Sequence, residues 1–240
     1  MPPLPRWANP KRGPYTIAVN LELQQEFGVR MSVVTMGPAL SKKLAMWGAL
    51  AHECGHDITI ADYGLLEECA KNINSEILKA SELQGQEVVY NGSREPLAKR
   101  AAEVWMFWIK EVVADVMGIL NFGPASGIAL STLLIALRKG KLTCRGSPDD
   151  VHPIDALRAF MAADLVREIT SLNANIRNGW SEAQMRIIDE YIDNKDKFEL
   201  GWSISPNQFF PTVEFPFEPM RETSKIVAKT LAFGQLETLE

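Results

Sequence analysis

From position 41 onward, apolar residues recur mostly at intervals of three and four, the period of a helix that buries one face. Three long stretches carry the pattern. "KKLAMWGALAHECGHD" can be capped by Ser41 and "IADYGLLEECAKNINSEILKASEL" by Thr59, while Pro96 opens "LAKRAAEVWMFWIKEVVADVMGIL" after an Asn91-Gly92 turn. Further helices are expected at residues 127 to 138, 153 to 172, 181 to 195 and 219 to 235. Ahead of them, the β-branched and apolar residues of "YTIAVNLEL" and "GVRMSVVTM" predict one or two short strands, or a strand and a helical turn. Residues 202 to 219 hold four prolines among several aromatics and read as an ordered irregular connector over the core. The pattern predicts a mainly α (α+β) protein. A proline-rich arm spans residues 1 to 14, and a single domain spans residues 15 to 240, with a small β element and first helix at 15 to 57 and a helical lobe at 58 to 240.

One run departs from amphipathic spacing. Residues 116 to 137, "VMGILNFGPASGIALSTLLIAL", hold 22 positions without a charge, long enough on paper to cross a bilayer. Asn121-Phe122-Gly123-Pro124 breaks the run, and neither piece alone is long enough to span, so the reading is a buried helix on either side of a break.

Composition narrows the function classes. The 240 residues, 46% hydrophobic and 23% charged, are ordinary for a globular chain with a packed core. A net charge of -5 with no basic stripe argues against nucleic acid as a partner. Cys54, Cys69 and Cys144 form no CxxC pair, which points to neither a disulfide framework nor a thiolate zinc site. The arm has five prolines and no apolar core of a secretory signal, so the expected compartment is the cytoplasm.

The candidate chemistry lies in "AHECGHDI", residues 51 to 58. On a helix, residues four apart lie about 40° apart around the axis, so His52 and His56 share a face and can share one metal ion, with Glu53 beside them. Cys54 points away from that pair, along a stripe of Leu44, Trp47 and Leu50 read as core. The small residues Ala45, Gly48 and Ala49 leave room near the histidines for a cleft or a neighbouring strand.

A hydrolytic zinc site needs a third protein ligand and an open position for water. Asp62 stands six residues after His56, where HExxHxxGxxH places its third ligand, but Thr59 replaces the turning glycine and a T-x-x-D capping box accounts for Asp62 without metal. Glu67 and Glu68 read as a solvated face. Glu111 is the strongest candidate, because "EVVAD" sets Glu111 and Asp115 four apart on an otherwise apolar helix, where two inward carboxylates need a partner. With Glu111 on the metal, Asp115 can accept a hydrogen bond from the far nitrogen of a ligand histidine and fix its tautomer.

"HECGH" followed by "EVVAD" resembles the gluzincin class of zinc metallopeptidases, HExxH plus ExxxD. "VHPIDALR" is similar to the HP-x4-R segment of its HtpX-like and CAAX prenyl protease branch. The resemblance runs from about residue 40 to 165 and implies a zincin-like fold, one zinc ion held by His52, His56 and Glu111, Glu53 as general base, and Asp115 orienting a ligand. It also implies that His152 and Arg158 act in catalysis, binding substrate or the developing oxyanion. Pro153 at a helix start sets His152 beside the helix's positive end, with Arg158 further in, which suits that role. The chain lacks the clear transmembrane helices of that branch, so a peptide or protein substrate is expected and a membrane partner is not. The function expected is peptide-bond hydrolysis by metal-activated water. The alternative is a zinc-holding binding or regulatory protein on the same scaffold, which cuts nothing.

Overall fold

The computed structural model describes residues 4–7, 15–17, 25–26, 28, 32–36, 47–61, 63–205 and 208–233. Helices predominate over two small sheets. In the first, β1 (Leu4–Trp7), β2 (Tyr15–Ile17) and β3 (Val33–Met36) lie in the order β1-β3-β2, with β1 parallel and β2 antiparallel to the central β3. The proline-rich arm thus supplies a strand at a sheet edge, a position that tolerates Pro5. All four residues of β3 are buried, as suits a central strand.

The second sheet corrects the expected chain path. β4 (Glu87–Tyr90), β5 (Ser93–Pro96), β6 (Arg145–Gly146), β7 (Lys197–Ser205) and β8 (Gln208–Pro216) form the order β5-β4-β8-β7-β6. The Asn91-Gly92 turn closes the β4–β5 hairpin, both residues having positive φ (48° and 80°) as a two-residue hairpin turn requires. Residues 202 to 219 are no irregular connector, since most of them belong to the β7–β8 hairpin and the first turn of a helix. The prolines sit where a missing N–H is tolerated: Pro211 beside the register shift at Leu200/Gly201 and Pro216 at the strand end. Gly201 is required there, because a Cβ would stand 2.2 Å from the Phe210 carbonyl oxygen.

Eight helices are described: α1 (Trp47–Ala61), α2 (Tyr63–Lys79), α3 (Leu97–Phe107), α4 (Ile109–Phe122), α5 (Pro124–Leu137), α6 (Asp155–Glu168), α7 (Ala174–Tyr191) and α8 (Phe217–Phe233). Ser41 and Asp62 lie outside the described residues. Thr59 is not a cap but an interior residue of α1, its hydroxyl donating to the His56 carbonyl at 2.9 Å. The expected single helix from residue 97 bends at Trp108 (φ −90°, ψ 0°), whose indole N–H donates to the Asp150 carbonyl at 3.2 Å and so ties the bend to the loop before α6. Gly123 (φ 81°) followed by Pro124 at the first turn of α5 divides the long apolar run as expected. Among the described residues no helix is long and apolar enough to cross a membrane. α7 starts at Ala174, earlier than expected, because the Asn173 side chain caps it by accepting from the Asn175 N–H at 2.9 Å. α6 starts two residues beyond Pro153, since Ile154 is still extended.

The small-residue face of α1 carries its packing. A Cβ on Gly55 would lie 2.0 Å from the Ala114 carbonyl oxygen of α4, and one on Gly118 of α4 would lie 2.7 Å from the Ala51 carbonyl oxygen of α1. The two helices therefore meet backbone to backbone, and Gly48 brings α1 equally close to Leu130 of α5. The space beside Gly48 is filled by α5, whereas Ala49 lines a groove together with His52. Of the stripe read as core, Leu44 lies outside the described residues, Trp47 is half-exposed, and Leu50 and Cys54 are only partly buried. Burial and the neighbouring carboxylates of Asp57 and Glu53 push the Cys54 thiol up to about 11, so it is an unreactive thiol at neutral pH.

α6 is buried from Asp155 to Val166, with α5, α7 and α8 packed around it. Its three charges within that span are each paired: Asp155 with Arg138, Arg158 with Asp115, and Asp164 with Arg221. A helix buried on all sides carries charge only when each charge is matched.

Candidate metal centre

The antiparallel contact of α1 and α4 sets the site. His52 and His56 project from one face of α1, their rings edge-on with centroids 4.5 Å apart, toward Glu111 in the first turn of α4. Glu111 Oε2 lies 3.2 Å from His52 Nε2 and 3.4 Å from His56 Nε2. The ligand atoms of these three residues all lie within 4.8 Å of one another, and together they could hold a metal ion. A third imidazole joins from the loop ahead of α6, with His152 Nε2 3.3 Å from the same oxygen.

The donor set fits a cation on two observations. Oε2 of Glu111 and Nδ1 of His56 are buried without a hydrogen bond, so the short contacts between imidazoles and carboxylate are not aligned as hydrogen bonds. Their lengths match ligands around a small tetrahedral ion, because metal–nitrogen distances of about 2.0–2.1 Å put neighbouring ligands about 3.3 Å apart. Two neutral imidazoles and a carboxylate are also the donors a borderline divalent ion such as zinc prefers.

Behind the histidines lies a buried chain of charge. His52 Nδ1 stands 2.7 Å from Asp115 Oδ1, and Arg158 grips the same carboxylate with both arms of its fork, Nε to Oδ2 at 2.6 Å and Nη2 to Oδ1 at 2.8 Å. Arg158 Nη2 also stands 3.2 Å from His52 Nδ1, but a guanidinium only donates. The proton on Nδ1 therefore goes to Asp115, and Nε2 is the nitrogen that would give up its proton to ligate a cation. Burial opposes charge on His52, but Asp115 and then Glu111 outweigh it and raise the imidazole to about 9. Burial likewise opposes ionisation of Asp115, yet Arg158 and His52 hold it down at about 2. For Glu111, burial is outweighed by His52 and His56, which hold its carboxyl well below the usual carboxylate range.

Each residue expected from the sequence has a definite place. His52, His56 and Glu111 form the cluster, and Asp115 orients His52. Glu53 follows His52 on α1 and lines a groove of ≈ 420 Å³ that also includes His52, His152 and Arg158. His152 is half-exposed on the rim, with Nδ1 2.8 Å from Asp150 Oδ1, and burial of Asp150 is outweighed by the His152 N–H and ring, which lower its carboxyl. Arg158 is buried and also lines the groove, with its Nε and Nη2 both donating to Asp115. Glu67 lies exposed on α2, and neither it nor Glu68 belongs to the cluster.

Two partners were not foreseen. Asp150, two residues before His152, binds both its backbone N–H and its ring, a D-x-H spacing the sequence displays. Thr16 on β2 places its hydroxyl 2.7 Å from Glu53 Oε2 and 2.8 Å from the Glu53 carbonyl, a contact across 37 positions with no local signal. The far side of the groove is aliphatic, formed by Leu130, Leu133, Leu134 and Leu137 of α5. Compared with known proteins, the chain matches no family model, no curated protein and no solved structure.

Proposed function

We propose that this protein is a zinc-dependent peptidase, with His52, His56 and Glu111 as the ligands and Glu53 as the general base. The observation that carries the reading is the convergence of three imidazole Nε2 atoms on one carboxylate oxygen, 3.2 to 3.4 Å away, in an open groove that Glu53 also lines. The resemblance of HECGH, EVVAD and HPIDALR to gluzincin motifs points the same way. A bound ion supplies Lewis acidity and lowers the pKa of water at the site. The chain's own residues do the rest. Glu53 accepts the proton of the attacking water at its carboxylate and delivers it to the leaving amine. Asp115, braced by Arg158, keeps the His52 Nε2 lone pair facing the cluster. As an imidazolium, with its Nδ1–H held by Asp150 on the rim, His152 donates from Nε2 toward the carbonyl oxygen as negative charge develops there. The leucine wall of α5 favours substrates with an aliphatic side chain next to the bond cut.

Glu53→Gln tests the assignment. The variant is expected to retain its metal and to lose turnover of a mixed peptide library by at least about a hundredfold. Full activity in Glu53→Gln contradicts the general-base role. A metal-loaded wild type that cuts nothing favours a zinc-holding binding protein instead.

A further inference from the structure

We infer that Thr16, on the second strand of the N-terminal sheet, is a positioning residue that holds the Glu53 carboxylate in its working rotamer. The inference rests on the peptidase reading for its catalytic consequence, while the positioning itself stands on geometry. Thr16 Oγ1 lies 2.7 Å from Glu53 Oε2 and 2.8 Å from the Glu53 main-chain oxygen. A hydroxyl has one proton to give, and an ionised carboxylate is the stronger of the two acceptors. No other hydrogen bond to this carboxylate is present among the described residues, although Glu53 is largely buried. The carboxylate is thus anchored through Oε2 on the strand side.

The arrangement gives the N-terminal sheet a purpose that helix packing alone does not. His52, His56, Glu111, Asp115 and Arg158 all come from α1, α4 and α6, and none of the described residues before α1 belongs to the cluster. The glutamate, in contrast, is held from that segment. It is a long side chain with several rotatable bonds, and a proton acceptor displaced by about 1 Å can cost a hundredfold in rate. β2 packs on α1 and runs antiparallel to the buried β3, so Thr16 is delivered by a paired strand and not by a loose tail. The chain brings a hydroxyl to the base from outside the helical body.

The test uses the full-length, metal-loaded protein with Thr16→Val and Thr16→Ser. Thr16→Val is expected to lower kcat between about tenfold and a hundredfold with KM, metal content and melting temperature unchanged, and Thr16→Ser is expected to restore most of the rate. Crystal structures of both variants give a readout independent of turnover, with Glu53 in the wild-type rotamer in Thr16→Ser and displaced in Thr16→Val. Thr16→Val with unchanged kcat, Thr16→Ser as slow as Thr16→Val, or an undisplaced Glu53 in Thr16→Val overturns the proposal. If Thr16→Val does not fold, Thr16→Ala takes its place with the same outcomes. A wild type that hydrolyses no peptide counts against the peptidase reading alone, and the position of Glu53 in the two structures then decides the inference.

Discussion

At the scale of single residues, the Asp115–Arg158 pair governs the site without touching its ligands' metal-facing atoms. Both groups are buried and each satisfies the other, so removing one leaves an unmatched charge in the interior. Arg158→Met is expected to destabilise the fold by about 3–5 kcal/mol in urea titration. Because it strands Asp115, adding Asp115→Asn is expected to recover part of that loss. If Arg158→Met costs less than about 1 kcal/mol, the pair is a solvated contact and the account of His52's orientation fails with it. At this scale the sequence was most informative where chemistry is written in spacing. His52 and His56 share a helix face, and Glu111 and Asp115 share another, so each pair follows from periodicity while the meeting of the two pairs does not. Arg158 was found by motif but its pairing with Asp115 was not, because nothing local says which carboxylate a long side chain on α6 meets. Thr16 was invisible, since its partner lies 37 residues away on a different kind of element.

At the scale of elements, the candidate metal centre depends on how closely α1 approaches α4. Glycines make that approach possible, as a Cβ on Gly55 would stand 2.0 Å from a backbone oxygen that cannot move aside like a side-chain tip. Gly55→Ala is expected to cost about 1–3 kcal/mol by overpacking and, by forcing the helices apart, to weaken metal binding. Gly179 on α7 supplies the contrast: a Cβ there meets nothing within 4 Å, and Gly179→Ala is expected to stabilise by about 0.5–1 kcal/mol with metal binding unchanged. Equal effects of the two substitutions on metal affinity would remove the close-approach argument. Periodicity located most of the helices but not their packing faces. The face of α1 that looked apolar carries the exposed Trp47, while the face of glycines and alanines is the one that packs. Helix ends were missed where a side-chain cap or an interior hydroxyl decided them, as at Asn173 and Thr59. The β7–β8 hairpin was missed because its prolines read as breakers, whereas their places beside a register shift and at a strand end leave the ladder intact.

At the scale of the whole molecule, the cluster joins α1 and α4 to the loop before α6, so a bound ion ties together segments far apart in sequence. A ligand that binds only the folded state stabilises it by about 2.7 kcal/mol at a hundred times its dissociation constant, and zinc is expected to raise the melting temperature accordingly. The most direct test is the metal content per chain of wild type and of Glu111→Ala, each loaded with zinc and dialysed. One equivalent in the wild type, with most of it lost in Glu111→Ala, is the result the account predicts. A wild type that retains no metal, or a Glu111→Ala variant that retains a full equivalent, would contradict it.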